Sequence, residues 1–501
     1  MRTWLTPLIF LALLLPFTVS FQILSHVERF TPAHKLAGIG IERSDIADDV
    51  LRVRTDLMIQ SQTFVIMREA QSVPGAERIT SPRLSALFNA AEKKSGFPAS
   101  TLAAVSYLES WGLANAESPA GPKGIMQISE TTARSMGLQV VHATRYRITT
   151  QTKTVKGRKR TVKVRSPYTV TVRDDRLIPE RAIPAAGAYL ARLEQKFNGR
   201  DWAIFAYHCG EGCVSYLRSI AEMANGFRDH PLTVARMFFN CSPVYNRNLY
   251  EAIQAQMQRD YSPTYWFRVM RAEELLALSK ADTDAFRKLA DDYRSDIINA
   301  ARAPNRLSVW LRTSDLAFRT CDDIRADQGK RLAKAFDNPD YFGFRLRTSG
   351  LGAIGSDDPK NQELYLQASP DAIGTLSYIA YETRRLYEQM TSAQEPFEPL
   401  EVTSLVHPMD ALALQGSPEF LGHCSGRVFD IHMRKLPAGE RECLQAVLDD
   451  LGWYGYLGFT EESPGSELVH IGCSPSSRDF FAQVFQEGVA GTAVAANSAA
   501  K

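Results

Sequence analysis

A surplus of one charge sign is missing from this chain. Lys and Arg number 58 and Asp and Glu 56, so 501 residues carry a formal net charge of +2. Nothing in that balance points to nucleic acid as a partner. Cysteine is sparse: seven in 501 residues is too few for a disulfide scaffold. They group as Cys209, Cys213 and Cys241, then Cys321, then Cys424, Cys443 and Cys473. Seven is odd, so at least one thiol has no intramolecular partner. There is no internal repeat. Hydrophobic residues make up 45% and charged residues 23%, which excludes a mostly disordered chain, a collagen and a multi-span membrane protein. At roughly 100–200 residues per domain, the length allows two to four domains.

One long uncharged run is present. Trp4 to Leu24 has no charge over 21 residues, and Arg2 precedes it. A signal peptide needs about 7–15 apolar residues and a membrane span about 20. Residues 1–25 are therefore expected to be a membrane anchor or a signal peptide. Either places the rest of the chain outside the cytosol, where disulfides can persist.

Residues 26–80 read as a polar, helical lead-in. From 81 the helix signals strengthen: Ser81-Pro82 is a cap and first-turn pair, followed by Leu84, Leu87, Phe88 and Ala91 at helical spacing. Gly96-Phe97-Pro98 breaks that run, and Leu102, Val105 and Leu108 stripe the next helix. Residues 141–173 alternate Thr/Val with Lys/Arg at period two and contain ten Lys/Arg and no acid. That predicts a basic β insertion turning at Lys156-Gly157-Arg158, either a solvated hairpin or a ribbon that holds an anionic polymer. Residues 261–395 read as a mostly helical connector with a helix from about Pro370 to Met390. Ser392–Pro399 is a linker, 396–490 turns to short strands with a helix near Glu440–Leu451, and 491–501 is expected to be a disordered tail.

Glu109 closes an apolar helix in the run AAVSYLES. A carboxyl group beside Val105, Tyr107 and Leu108 is partly desolvated, which raises its pKa and suits it to general acid catalysis. Glu109-Ser110 is followed by Ser118-Pro-Ala-Gly121-Pro-Lys-Gly124-Ile-Met126-Gln127-Ile128, then Thr132-Ala133 and Gly137-Leu138. Tyr189-Leu-Ala-Arg-Leu193 and Phe205-Ala-Tyr207-His208-Cys209-Gly210-Glu-Gly212 come later. This series resembles the soluble-type, goose-lysozyme-like lytic transglycosylases over 81–260. The resemblance implies a mainly α, lysozyme-like domain with no cofactor. It also implies a substrate, the peptidoglycan glycan strand. Glu109 would protonate the bond between N-acetylmuramic acid and N-acetylglucosamine. It would then accept a proton from the muramyl C6 hydroxyl, giving a 1,6-anhydro end. Tyr207 would steady the acid, and Ser118, Met126, Gln127 and Tyr250 would contact sugar. The chain departs from the family at Ser129-Glu130, at His208 and Cys209, and at Asn246. Glu117, Glu130 and Glu211 are rival carboxylates.

A second constellation is His423-Cys-Ser-Gly426-Arg-Val-Phe-Asp430 with Glu467-Leu-Val-His470. Two histidines and a carboxylate suit a zinc ion with one open position, and Glu467 suits the base. Residues three apart face opposite sides of a strand, so Glu467 and His470 require a turn or bulge. The spacing resembles zinc D-alanyl-D-alanine carboxypeptidases and dipeptidases. That implies an α+β zinc-peptidase-like domain with His423, Asp430 and His470 on the metal. Val402-Thr-Ser404-Leu-Val-His407 stands where relatives carry an oxyanion-holding arginine, here His407, and Leu421 replaces a usual serine.

Together these imply a multidomain enzyme of the bacterial cell envelope, facing the periplasm and inner-membrane anchored or secreted. It would act on glycan strands and, through the second module, on stem peptides. The alternatives are a decayed wall-binding scaffold or a hydrolytic lysozyme.

Overall fold

The computed structural model describes residues 29–33, 35–36, 46–155, 158–224, 230–257, 262–294, 312–411, 418–433, 435–461 and 468–499. The principal elements run in chain order. Helix α1 is Asp48–Ser61, α2 Pro82–Ser95 and α3 Ala99–Ser110. Strands β1 (Val140–Val155) and β2 (Arg158–Asp174) follow, then α4 (Pro179–Phe197), α5 (Arg200–Cys209), α6 (Glu211–Met223), α7 (Tyr265–Ala281) and α8 (Thr283–Tyr293). The C-terminal part has β3 (Phe344–Leu346), α9 (Pro370–Met390), β4 (Leu400–Ser404), β5 (Val428–His432), α10 (Ala438–Trp453), β6 (Leu457–Glu461), β7 (Leu468–Cys473) and α11 (Arg478–Ala499).

Two apolar cores organise these elements. Helix α2 begins where Ser81 accepts a bond from the Leu84 amide, with Pro82 in its first turn, and ends at Gly96 in a left-handed conformation. Its Leu84, Phe88 and Ala91 face the first core, with Leu102, Val105 and Tyr107 of α3. The second core lies between a five-stranded sheet, ordered β3-β4-β5-β7-β6, and helices α9, α10 and α11. β3 and β4 are parallel and the other neighbours antiparallel. β1 and β2 stand apart as a two-stranded antiparallel ribbon, paired from Val140–Asp174 to Val155–Arg158.

Three expected segments are drawn differently. The first core does not stop at 260: Tyr265, Val269, Ala272, Leu275, Phe286 and Tyr293 belong to it. Helices α7 and α8 are therefore mainly part of the first body, while Phe267 of α7 reaches into the second core. Residues 26–80 are not a simple lead-in. Phe64–Met67, Ala76 and Ile79 sit in the first core, whereas Phe30, Leu36, Ile46 and Met58 sit in the second. The tail expected to be disordered continues α11 to Ala499. Its alanines favour helix, and the sequence has no breaker between Gly491 and that point.

The two bodies meet along an aromatic seam. Trp453 at the end of α10 stacks on Phe238 at 4.3 Å between centroids and meets Tyr250 edge-on at 5.0 Å. Its indole N–H donates to the Phe238 carbonyl at 3.3 Å. Arg54 of α1 lies over the Tyr454 ring at 4.9 Å. Replacing Trp453 with Ala is expected to cost about 2–3 kcal/mol, less than a fully buried tryptophan. Calorimetry is expected to show the unfolding transition broaden or split as the two bodies lose their contact.

Among the described residues no helix is long and apolar enough to cross a membrane. The expected anchor or signal segment, 1–25, lies outside them. All seven cysteines lie among the described residues, and none of them is in a disulfide.

Candidate active site

Helix α3 carries Glu109 in its last turn and ends at Trp111, a left-handed cap with φ 54°. Ser110 beside it donates to the Ile125 carbonyl at 2.7 Å, and Ser106 reaches the same oxygen at 3.2 Å. These bonds fix the 116–128 loop beneath the helix end. Gly124 in that loop has φ +80°, and a Cβ there would stand 1.9 Å from the Arg176 carbonyl, so only glycine fits. The Arg176 guanidinium donates to the Ile128 carbonyl at 3.2 Å and to Asp174 at 2.7 and 2.8 Å. The foot of the basic ribbon therefore locks the loop below Glu109.

The Glu109 side chain is 18% exposed. Its Oε1 accepts a 2.7 Å hydrogen bond from the Tyr265 hydroxyl, at the first residue of α7. His208 Nδ1 lies 4.0 Å from the same oxygen, and the His208 and Tyr265 rings stack at 4.2 Å, 9° from parallel. His208 Nε2 meets Ser262 Oγ at 2.8 Å. Burial raises the Glu109 pKa from 4.5 to about 7, against the opposing pull of the Tyr265 bond and the Arg268 charge. The group is thus poised to be protonated near neutrality.

The other expected contacts divide. Tyr207 donates to the Met126 carbonyl at 2.7 Å, and burial, then the Glu109 charge, raises its pKa well above 10. Met126 itself is fully buried in the core, so its side chain cannot line a sugar subsite as expected; its carbonyl holds Tyr207. Gln127, at φ 47°, turns its amide back onto the Ala116 and Gly124 carbonyls at 3.1 and 2.9 Å. It braces the loop. Ser118 is half-buried in that loop and accepts from the Ala120 amide at 3.3 Å. Tyr250 packs on Trp453 in the seam. The rival carboxylates are committed to other partners: Glu117 to Lys123, Glu130 to Arg134 and the His142 ring, Glu211 to Lys196 and Arg192.

Tyr265 carries no motif and lies 156 residues beyond Glu109, past the expected domain boundary. Its signal was the aromatic run Tyr265-Trp266-Phe267 opening a helix. Removing its hydroxyl withdraws a bond that favours ionised Glu109, so Tyr265→Phe is expected to move the alkaline limb of the pH–rate profile upward. An unmoved limb would separate Tyr265 from the acid.

In the second body, β5 and β7 pair Asp430 directly with His470. Residues in register share a face, which brings the two side chains together. Asp430 Oδ1 lies 2.6 Å from His470 Nδ1 and 3.1 Å from His423 Nε2. One ligand-type atom from each of the three falls within 4.8 Å of the others, and exposure is 0%, 2% and 0% for His423, Asp430 and His470. His423 Nδ1 sits 2.6 Å from the Leu405 carbonyl, which directs Nε2 toward the cluster. Burial alone would raise the Asp430 carboxyl; the His423 charge and the bonds to both histidines outweigh it and hold it well below the usual range. The donor set, two imidazoles and one carboxylate, fits zinc. His407 stacks on Tyr365 at 4.9 Å and meets His423 edge-on at 6.0 Å. Burial, then His423, lowers its pKa to about 4, so it is neutral where an arginine would be charged. Glu467 lies outside the described residues.

With this geometry in place, comparison with known proteins can be set beside it: residues 86–225 match the family model of the Transglycosylase SLT domain. The chain is 33% identical over 127 residues to peptidoglycan transglycosylase gp16 of Escherichia phage T7, covering 25% of this chain and 8% of that protein. It is 28% identical over 156 residues to membrane-bound lytic murein transglycosylase F of Alcanivorax borkumensis, covering 30% of this chain and 26% of that one. The chain therefore spans about a quarter or less of the length of these curated relatives. No solved structure matches it.

Proposed function

We propose that the first body is a lytic transglycosylase acting on peptidoglycan glycan strands in the bacterial cell envelope. The residues at 1–25 would hold the chain at, or send it across, the inner membrane. The observation that carries this reading is Glu109, little exposed, bonded to Tyr265 and raised to about 7. A neutral carboxylic acid donates its proton to the glycosidic oxygen between N-acetylmuramic acid and N-acetylglucosamine as that bond breaks. The resulting carboxylate, steadied by the Tyr265 hydroxyl, then accepts the proton of the muramyl C6 hydroxyl while that oxygen bonds to C1. No water is consumed, and the product ends in 1,6-anhydromuramic acid. A single carboxyl group suffices, which agrees with the ion-paired state of Glu117, Glu130 and Glu211. Mass spectrometry of digested sacculi tests this reading. Anhydro ends support it, reducing ends would show a hydrolase instead, and no release would show a binding protein.

The second body is proposed to hold one zinc ion through His423, Asp430 and His470 and to act on, or bind, stem peptides. When bound, such an ion supplies a Lewis acid and an acidified water. The Leu405 carbonyl would keep His423 oriented, and Asp430 would balance the charge.

A further inference from the structure

A cavity of about 410 Å³ opens in the second body where the amino ends of α9 and α11 converge. Its walls include Arg312, Arg331, Arg427 and Arg478, with Asp371, Asp479 and Ser369. It is not the histidine cluster. Asp430 and His470 share one face of the sheet, whereas Cys473, three residues on, points to the other, where its thiol lies 3.3 Å from Asp371 Oδ2.

The buried acids here are already satisfied. Asp371 takes both carboxylate oxygens to Arg427 Nη1 at 2.6 Å. Asp315, behind the wall, takes two bonds of 2.8 Å from Arg478, and from Arg312 one from the backbone amide at 3.0 Å and two from the guanidinium at 3.1 and 3.3 Å. Each guanidinium offers five N–H donors, so these pairs leave donors over. Arg478 Nε is buried and has no hydrogen-bond acceptor among the described residues. Arg331 is 60% exposed at the rim, pairs through Nη2 with Asp327 and lies over the Phe318 ring at 5.4 Å.

Ser369 supplies an independent sign. It occupies the cap position of α9 but makes no capping bond, although serine there normally accepts from the first turn. It is 4% exposed, and its hydroxyl has no hydrogen-bond partner among the described residues. Pro370 follows it. A 21-residue and a 22-residue helix therefore present their positive ends to one cavity already lined by four guanidinium groups and two carboxylates. Asp315 and Asp327, outside the lining, pair with Arg478, Arg312 and Arg331 and offset its two extra positive charges, so an anion here would be held by the unspent N–H donors and the two helix ends rather than by net charge.

We propose that this cavity binds an oxyanion of the phosphate class, either free phosphate or a phosphate monoester. The proposal is independent of glycan cleavage at Glu109. Calorimetric titration of the full chain with inorganic phosphate and with glycerol phosphate, each against chloride at equal ionic strength, tests it. Saturable heat with either phosphate and none with chloride is the expected result. Tighter binding of the ester would identify an esterified ligand, and tighter binding of the inorganic ion a free one. Arg331→Gln, at the exposed rim, is expected to weaken binding about tenfold without moving the ligand-free unfolding temperature. Ser369→Ala is expected to weaken it further from the buried side. Heats equal to those of chloride, or unchanged affinity in both variants, would overturn the proposal.

Discussion

Glu109→Gln is expected to lower anhydromuropeptide release roughly a thousandfold, the scale of a positioned general acid. The amide keeps the shape and can still meet the Tyr265 hydroxyl, but it has no proton to give. Its second signature is in stability. A carboxyl raised from 4.5 to about 7 in the folded chain is favoured when protonated. Below its unfolded pKa it costs nothing; stability is then lost as pH rises through the interval, reaching roughly 3 kcal/mol above it. The variant lacks that loss. It is expected to unfold like the parent at pH 4 and to be more stable at pH 8 in denaturant titrations. The parent's rate is expected to fall as pH rises through about 7. Full activity in the variant would reject Glu109 as the donor, and equal stability at both pH values would reject its desolvation.

The second large effect concerns metal. The purified chain is expected to hold about one zinc ion, the count for one site of two histidines and a carboxylate. Asp430→Asn and His470→Ala are each expected to abolish it, measured by elemental analysis. They separate binding from folding. His470→Ala leaves the Asp430 carboxylate buried beside one histidine instead of two, which costs stability in its own right. Asp430→Asn leaves no such charge. Zinc retained at full stoichiometry in both variants would place the ion elsewhere.

These two sites were legible to different depths. Glu109 could be read because it closes a continuous apolar helix, although the groups that flank its carboxyl, Tyr265 and His208, come from other helices. The three-residue cluster could be read from spacing, although the strand pairing that sets Asp430 opposite His470 could not. Tyr265 was hidden because the contact comes from a helix far along the chain, with no local pattern to mark its partner. Met126 shows the converse. Its place in a motif suggested contact with sugar, but a methionine between Ile125 and Ile128 fills the core, and only its backbone carbonyl meets Tyr207. Periodicity also located α9 and α10 well, since both carry long apolar faces, but it could not say that 48–79 divides its packing between two bodies.

The ribbon of β1 and β2 has a consequence for how copies of this chain meet. Sixteen residues of extended strand reach about 50 Å, and among the described residues each strand has one edge with no neighbouring strand. Such open edges invite pairing between molecules. Nine Lys and Arg on the two strands, against one acid, Asp174, at the foot, oppose it, because a second ribbon brought alongside would set cation against cation. That protection rests on unscreened repulsion, so concentrated salt removes the barrier to self-association while leaving both apolar cores intact.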